Sequence, residues 1–390
     1  MVSTHTNSPR GAASSSRRGA SPTDFLRAGL PWVLAACAFV FYLATLNHWI
    51  SFSNLAEVAR TSGWLWQPEL SGPLTWLVTL PFRLLPEAIR PAGLNLFSAL
   101  CAALSLGLLA RSVLLWPHDR TLEQRQKEHG PFWLLSIPSA WMPAVFAVLL
   151  CGLQLTFWEH ATSISSPQAP WGSGCEMLDL LLFAYVICSL LEFRLDQKES
   201  RLTRAALIYG LGITNNWAMI AYFPLFLAAL IWIRGLAFFR TRFLVRMFLW
   251  GLAGLSLYLL LPLVQSFAHF SHVPFWTGLH HICAAQKTVI VTLIQLLKSN
   301  PQLPMLLAVT SLIPLLVISI RWASYFGDSS PLGVALTTFA FHVVHAALLL
   351  VCIWVALDPS FYSRILPFLS LSYLGALSAG YFIGYFLLIF

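Results

Sequence analysis

The chain has 390 residues, 58% of them hydrophobic and only 10% charged, with a mean hydropathy of +0.73. Soluble domains carry about 25% charged residues, so this composition excludes a water-soluble globular fold and implies an all-α, polytopic membrane protein. The net charge of +8 would suit nucleic acid in a soluble protein. Here the basic residues cluster between apolar runs, where they report topology, and no nucleic-acid partner is expected.

In chain order, residues 1–23 are Ser-, Arg-, Gly- and Ala-rich without an apolar pattern and read as a disordered cytoplasmic tail. Residues 24–390 read as one transmembrane domain. Arg10, Arg17, Arg18 and Arg27 precede a first span at 29–47, which continues past Cys37 as an uncleaved helix and puts the N-terminus inside. Further spans are expected at 93–116, 139–158 and 176–193. Residues 205–233 are too long for one upright helix and are interrupted by Thr214-Asn215-Asn216, which predicts two shorter helices. Spans at 250–265, 303–320, 332–357 and 365 onward complete about ten, with a long outer segment, part of it an interfacial helix, at 266–298. Arg194, Lys198, Arg201, Arg204, Arg234, Arg240, Arg242, Arg246 and Arg321 all fall on the inner side of this arrangement. The chain stops at Phe390 inside an apolar run, which suggests a fragment of a longer protein.

Polar groups collect in the first outer loop, which makes it the first place to look for chemistry. Asn54 and Glu57 form an Asn-x-x-Glu pattern that suits either a capping box or a carboxylate that activates an acceptor. Arg60, Arg83 and Arg90 could hold a lipid-linked phosphate or anchor to lipid headgroups. Trp64, Trp66, Trp76 and Trp276 suit sugar stacking or the interfacial aromatic belt. Farther on, Glu176 and Asp179 are three apart, on one helical face near the outer boundary. His269, His272, His280 and His281 crowd one outer segment without a nearby carboxylate, so no metal site is expected. Of seven cysteines, Cys175 and Cys283 fall in outer loops and could pair.

Several stretches together resemble a family of bacterial polytopic proteins of largely unknown function. That family is related to the transmembrane protein O-mannosyltransferases and has the GT-C glycosyltransferase architecture. The stretches are Tyr42-Leu43-Ala44-Thr45-Leu46, Pro73-Leu74, Asn95-Leu96-Phe97-Ser98-Ala99, Thr156-Phe157-Trp158, Gly212-Ile213-Thr214-Asn215 and Tyr373-Leu374-Gly375-Ala376-Leu377-Ser378. The resemblance implies a GT-C-like bundle with a helical first outer loop in the bacterial inner membrane. It implies sugar transfer from a polyprenyl-phosphate donor to a periplasmic protein or glycan acceptor, with no other cofactor.

By the same resemblance Glu57 is the surviving acid/base residue, and Asn54, Gln67, Glu176, Asn216 and Arg60 line the substrate site. Three positions depart from the family pattern: Asn54 stands for its aspartate, and Gln67 and Asn216 stand for histidines. A neutral amide keeps hydrogen bonds but takes no proton near pH 7. A non-catalytic relative that binds a lipid-linked glycan, or scaffolds a surface-assembly complex, is therefore the alternative. A transporter ranks third, because only the Asn215-Asn216 break suggests a broken helix.

Overall fold

A computed structural model describes residues 28–50, 55–62, 64, 72–115, 141–164, 175–267, 273–319, 331–357 and 368–389. Among these residues every regular element is helical. In order they are α1 (Leu30–Ala44), α2 (Leu55–Ser62), α3 (Pro73–Thr79), α4 (Arg90–Leu115), α5 (Met142–Gly152), α6 (Leu155–Thr162), α7 (Glu176–Asp196) and α8 (Glu199–Asn215). There follow α9 (Phe223–Arg234), α10 (Thr241–Leu255), α11 (Leu260–Phe267), α12 (Phe275–Ser299), α13 (Gln302–Ser311), α14 (Ile313–Ser319), α15 (Pro331–Leu357) and α16 (Phe368–Ile389). Tight 3₁₀ turns join α8 to α9 (Trp217–Tyr222), α9 to α10 (Gly235–Phe239) and α10 to α11 (Ser256–Leu259). Prolines in the first turns of α1, α3, α5 and α9 start helices where no intrahelical N–H is required.

Helix α4 is the axis of the bundle, with α1, α5, α6, α7 and α16 packed against it. Of its apolar window 61% is buried, against 17–22% in the other long apolar helices, so those present most of their surface to lipid. Small and polar residues on α4 (Asn95, Ser98, Ala99, Ala102, Ser105, Gly107, Ser112) let its neighbours approach closely. Beyond α7, helices α8 and α10 cross at glycine. A Cβ on Gly210 would lie 2.5 Å from the Gly251 carbonyl oxygen, and one on Gly254 would collide with the Leu207 carbonyl. Only hydrogen fits at that crossing.

Among the described residues, five helical stretches are long and apolar enough to cross a membrane: 90–115, 217–239, 241–266, 275–299 and 339–357. The bent pair α5–α6 makes a sixth if taken as one span. The protein is therefore an all-α, multi-pass membrane protein. The break expected at Thr214-Asn215-Asn216 is present, at the end of α8. Two expectations differ from what is observed. Residues 266–298, expected outside with an interfacial helix, instead contain the single 25-residue helix α12, long enough to span. The span at 303–320 is two short helices separated at Leu312. The reason is local: α12 has neither Pro nor Gly beyond its first turn, whereas Pro314 lies just after the α13–α14 junction.

Charge is concentrated at one end of the bundle. There Glu192 pairs with Arg111 and Arg201, and Arg201 Nε donates to Asp196 Oδ2 at 2.7 Å. Glu199 Oε1 and Oε2 accept from Arg234 and Arg246, each at 2.7 Å. The Arg234 hydrogen bond, reinforced by the Arg246 and Arg242 charges, holds the Glu199 carboxyl below the usual carboxylate range. A lowered folded-state pKa stabilises above the unfolded value and is lost as pH falls through the folded one. Thermal stability in detergent should therefore decline as pH drops below the ordinary carboxylate range, and Glu199→Gln should flatten part of that decline. An unchanged pH profile in the variant would remove Glu199 from the effect. In a second test, Gly210→Leu should destabilise by about 1–3 kcal/mol through overpacking, whereas Gly251→Ala, whose Cβ meets nothing within 4 Å, should be neutral.

Candidate functional site

At the opposite end of the bundle α7 begins with two carboxyls one turn apart, Glu176 and Asp179, both buried. Acidic residues suit a helix N-terminus, where the first backbone N–H groups point outward. Helix α8 arrives beside them and stops. Asn216 leaves the helical region (φ −133°, ψ 108°), and its Oδ1 accepts from the Ala218 N–H at 3.1 Å, starting the next 3₁₀ turn. Its Nδ2 donates to Asp179 Oδ2 at 3.0 Å, and the neighbouring Asn215 Nδ2 donates to Asp179 Oδ1 at 2.5 Å. Asn215 also closes a two-way bond with Thr75 in the first turn of α3. Its Oδ1 accepts the Thr75 backbone N–H at 2.8 Å, and its Nδ2 lies 3.0 Å from Thr75 Oγ1. One buried carboxyl thus joins α7, the break after α8, and α3.

Glu176 is held differently. His160 Nδ1 is 3.2 Å from Glu176 Oε2, within ion-pair distance. The geometry does not make a hydrogen bond, however, and both Glu176 oxygens are buried without a hydrogen-bond partner among the described residues. The alignment decides here, because an N···O distance alone does not satisfy a carboxyl oxygen.

The position of His160 follows from the 73° bend between α5 and α6. The Tyr42 hydroxyl donates to the Gly152 carbonyl at 2.8 Å, and Gln154 Oε1 caps α6 by accepting from the Phe157 N–H at 2.9 Å. A helix broken with both ends satisfied is stable in a buried setting. The far end of α6 is clamped by α4. Ser98 Oγ donates to the His160 carbonyl at 2.7 Å, while Asn95 donates to the Asn47 carbonyl (2.7 Å) and accepts from the Ile164 N–H (2.8 Å).

The expected site residues are only partly accounted for. Asn54 and Gln67 lie outside the described residues. Glu57 and Arg60 fall on α2, which packs through Val58 and Ser62 and contacts α3 and α4. Since α3 also carries Thr75, the first-loop helix adjoins the buried cluster. Glu176 and Asn216 are brought together through Asp179, which acts as the hub. His160 and Thr75 join them without having been singled out, and Asn215, read only as part of the helix break, joins as well, because their partners are distant in sequence.

Arg90, a candidate phosphate ligand, is otherwise engaged. Its guanidinium donates to the carbonyls of Ser62, Arg83 and Leu85, each at 3.0 Å. Arg83 lies over the Trp76 ring at 5.7 Å. No disulfide joins Cys175, buried just before α7, to Cys283, exposed on α12. Among the described residues no three His, Cys, Asp or Glu side chains gather as metal ligands.

Comparisons with protein-family models, curated proteins and solved structures find no match. Chemically, the arrangement offers a buried carboxyl without a hydrogen bond among the described residues, a histidine against it, and a second carboxyl fixed by amides. Asn215→Ala would strip one Asp179 oxygen and the Thr75 N–H of their partners, and should cost about 1–3 kcal/mol of stability. Thermal unfolding of the detergent-solubilised protein reads this directly. A midpoint equal to wild type would mean that the cluster does not hold α3 and α8 to α7.

Proposed function

We propose that this protein is a GT-C-like membrane glycosyltransferase, moving a sugar from a polyprenyl-phosphate donor to a periplasmic protein or glycan acceptor. The observation that carries this is the Glu176 carboxyl, buried, without a hydrogen bond among the described residues, and 3.2 Å from His160. It lies at the end of the bundle where α3 and the first-loop helix α2 adjoin the cluster. Lys and Arg favour the cytoplasmic side, so the arginine-rich end faces inward and the carboxyl end outward, in the bacterial inner membrane with the N-terminus inside.

In this reaction a carboxylate, Glu176 or the loop residue Glu57, accepts the proton of the acceptor hydroxyl. The hydroxyl oxygen bonds to the anomeric carbon, and the anomeric C–O bond to phosphate breaks. The electron pair leaves with the polyprenyl phosphate. Asp179, whose two oxygens are both occupied by amides, positions the helix ends. The family resemblance assigns Asn54, Gln67, Asn216 and Arg60 to the substrate side.

One observation favours the alternative, a non-catalytic relative that binds the lipid-linked glycan. The Asn216 amide is already engaged on both sides, by Asp179 and by the Ala218 N–H. A residue so used is architectural.

Transfer from polyprenyl-phosphate sugars by the membrane-embedded protein separates the two. Removing a general base lowers rate by about 10²–10⁴-fold, so Glu176→Gln or Glu57→Gln should reduce transfer on that scale with the unfolding midpoint retained. Asn54→Asp should raise it. Full activity in both Gln variants would end the catalytic role of these carboxyls, and donor binding without turnover in the wild type would favour the alternative.

A further inference from the structure

A cavity of about 350 Å³ opens at the arginine-rich end, lined by Glu199, Arg234, Arg240, Arg242, Phe243 and Arg246. Four guanidinium groups share it with one carboxylate. Glu199 is already saturated: one oxygen takes Arg234 and the other Arg246, both at 2.7 Å. Neither Arg240 nor Arg242 comes within ion-pair distance of Glu199, though the Arg242 charge is felt there, and four arginines against one carboxylate leave the cavity an excess of positive charge.

Its back wall is rigid. The Arg234 guanidinium carbon lies 3.7 Å from the centroid of the buried Phe243 ring, and Arg234 Nε donates to the Ala237 carbonyl at 3.3 Å. Helix α10 starts in the wall at Arg240, which caps it with no side-chain bond, so its first N–H groups add their partial positive charge there. Planar guanidinium groups and helix N-terminal N–H groups both fit the tetrahedral oxygens of a phosphate.

The surroundings decide which phosphate. Leu236, Phe239, Val245 and Phe248, on the 3₁₀ turn and α10 that frame the cavity, are 56–89% exposed. These apolar side chains put bilayer lipid beside the cavity, so a lipid headgroup reaches the arginines while its acyl chains lie against the apolar groups.

We infer that this arginine cavity is a binding site for the phosphate headgroup of an anionic phospholipid, at the face of the bundle opposite the carboxyl cluster. Arg240 and Arg242 supply charge beyond the Glu199 pairs, and Arg234, fixed by Glu199 and Phe243, shapes the floor. The site does not depend on whether the other end transfers sugar.

The test uses the full chain in neutral detergent, with the unfolding midpoint and native mass spectrometry as readouts. Three probes are compared: dioctanoyl phosphatidylglycerol, dioctanoyl phosphatidylcholine and inorganic phosphate. The anionic lipid should raise the midpoint and remain bound, and the zwitterionic lipid and inorganic phosphate should do neither. The double variant Arg240→Gln, Arg242→Gln leaves the Glu199 pairs intact and so keeps the fold. It should weaken phosphatidylglycerol binding by about thirtyfold, as expected for two surface arginine charges. Equal binding of phosphatidylglycerol by wild type and double variant would overturn the proposal. Equal binding of both lipids, or inorganic phosphate binding as tightly as phosphatidylglycerol, would also overturn it. The second of these would make the ligand soluble.

Discussion

The carboxyl of Asp179 is the point on which the structure turns. A carboxyl taken out of water is tolerated only when its oxygens are bonded, and both of them here are met by side-chain amides from consecutive residues. Those residues can serve only because α8 ends there. A helical Asn216 would direct its side chain elsewhere, whereas the extended Asn216 reaches Asp179 and caps the following turn with the same amide. The polar pair that breaks the helix therefore also holds the acid. Asn215 extends the link to Thr75, and α3 and the first-loop helix are thereby joined to the bundle. Networks of this kind couple their members, so removal of one amide affects three elements at once.

The two ends of the bundle solve the problem of charge differently. At one end the acids Glu192, Asp196 and Glu199 are outnumbered by arginines that pair with them near water, where each pair contributes little but the set fixes α4, α7, α8, α9 and α10 to one another. At the other end the groups that meet Asp179 and Glu176 are neutral amides and a histidine. Between them the bundle depends on close backbone approach, at Gly210 against Gly254 and at Gly375 against the Cys352 carbonyl. Helix α7 carries acids at both ends, and so links the two chemistries through one rigid element.

The sequence made some of this legible and hid the rest for physical reasons. Composition alone carries the helical membrane class, and the polar triplet at Thr214-Asn215-Asn216 reveals the break because such residues stand out in an apolar run. The spacing of Glu176 and Asp179 reveals that they share a face. It does not reveal which of the two would be satisfied, since that depends on partners 36 and 37 residues away. His160 was invisible for a similar reason. It meets Glu176 only because α5 and α6 bend at Gly152–Gln154, and neither that bend nor the clamp by Asn95 and Ser98 follows from periodicity. Arg90 misled in the opposite direction, since its charge suggested phosphate while its guanidinium closes a loop through three carbonyls. Helix α12, in a segment placed outside by the order of the spans, is an unbroken helix because nothing beyond its first turn interrupts the hydrogen-bond ladder.

Glu176 remains the residue that structural economy does not explain. A buried carboxyl oxygen without a hydrogen bond costs about 1–3 kcal/mol, and more if charged. One turn later, the same helix shows how such a group is satisfied, with two amides on Asp179. A methionine at 176 would fill a similar volume against His160 at lower cost, so packing alone gives no reason for a carboxyl there. Local breaches of an otherwise consistent fold concentrate where a protein acts. An acid left without a hydrogen bond among the described residues, beside a histidine and one turn from a fully bonded Asp179, is unfavourable as architecture.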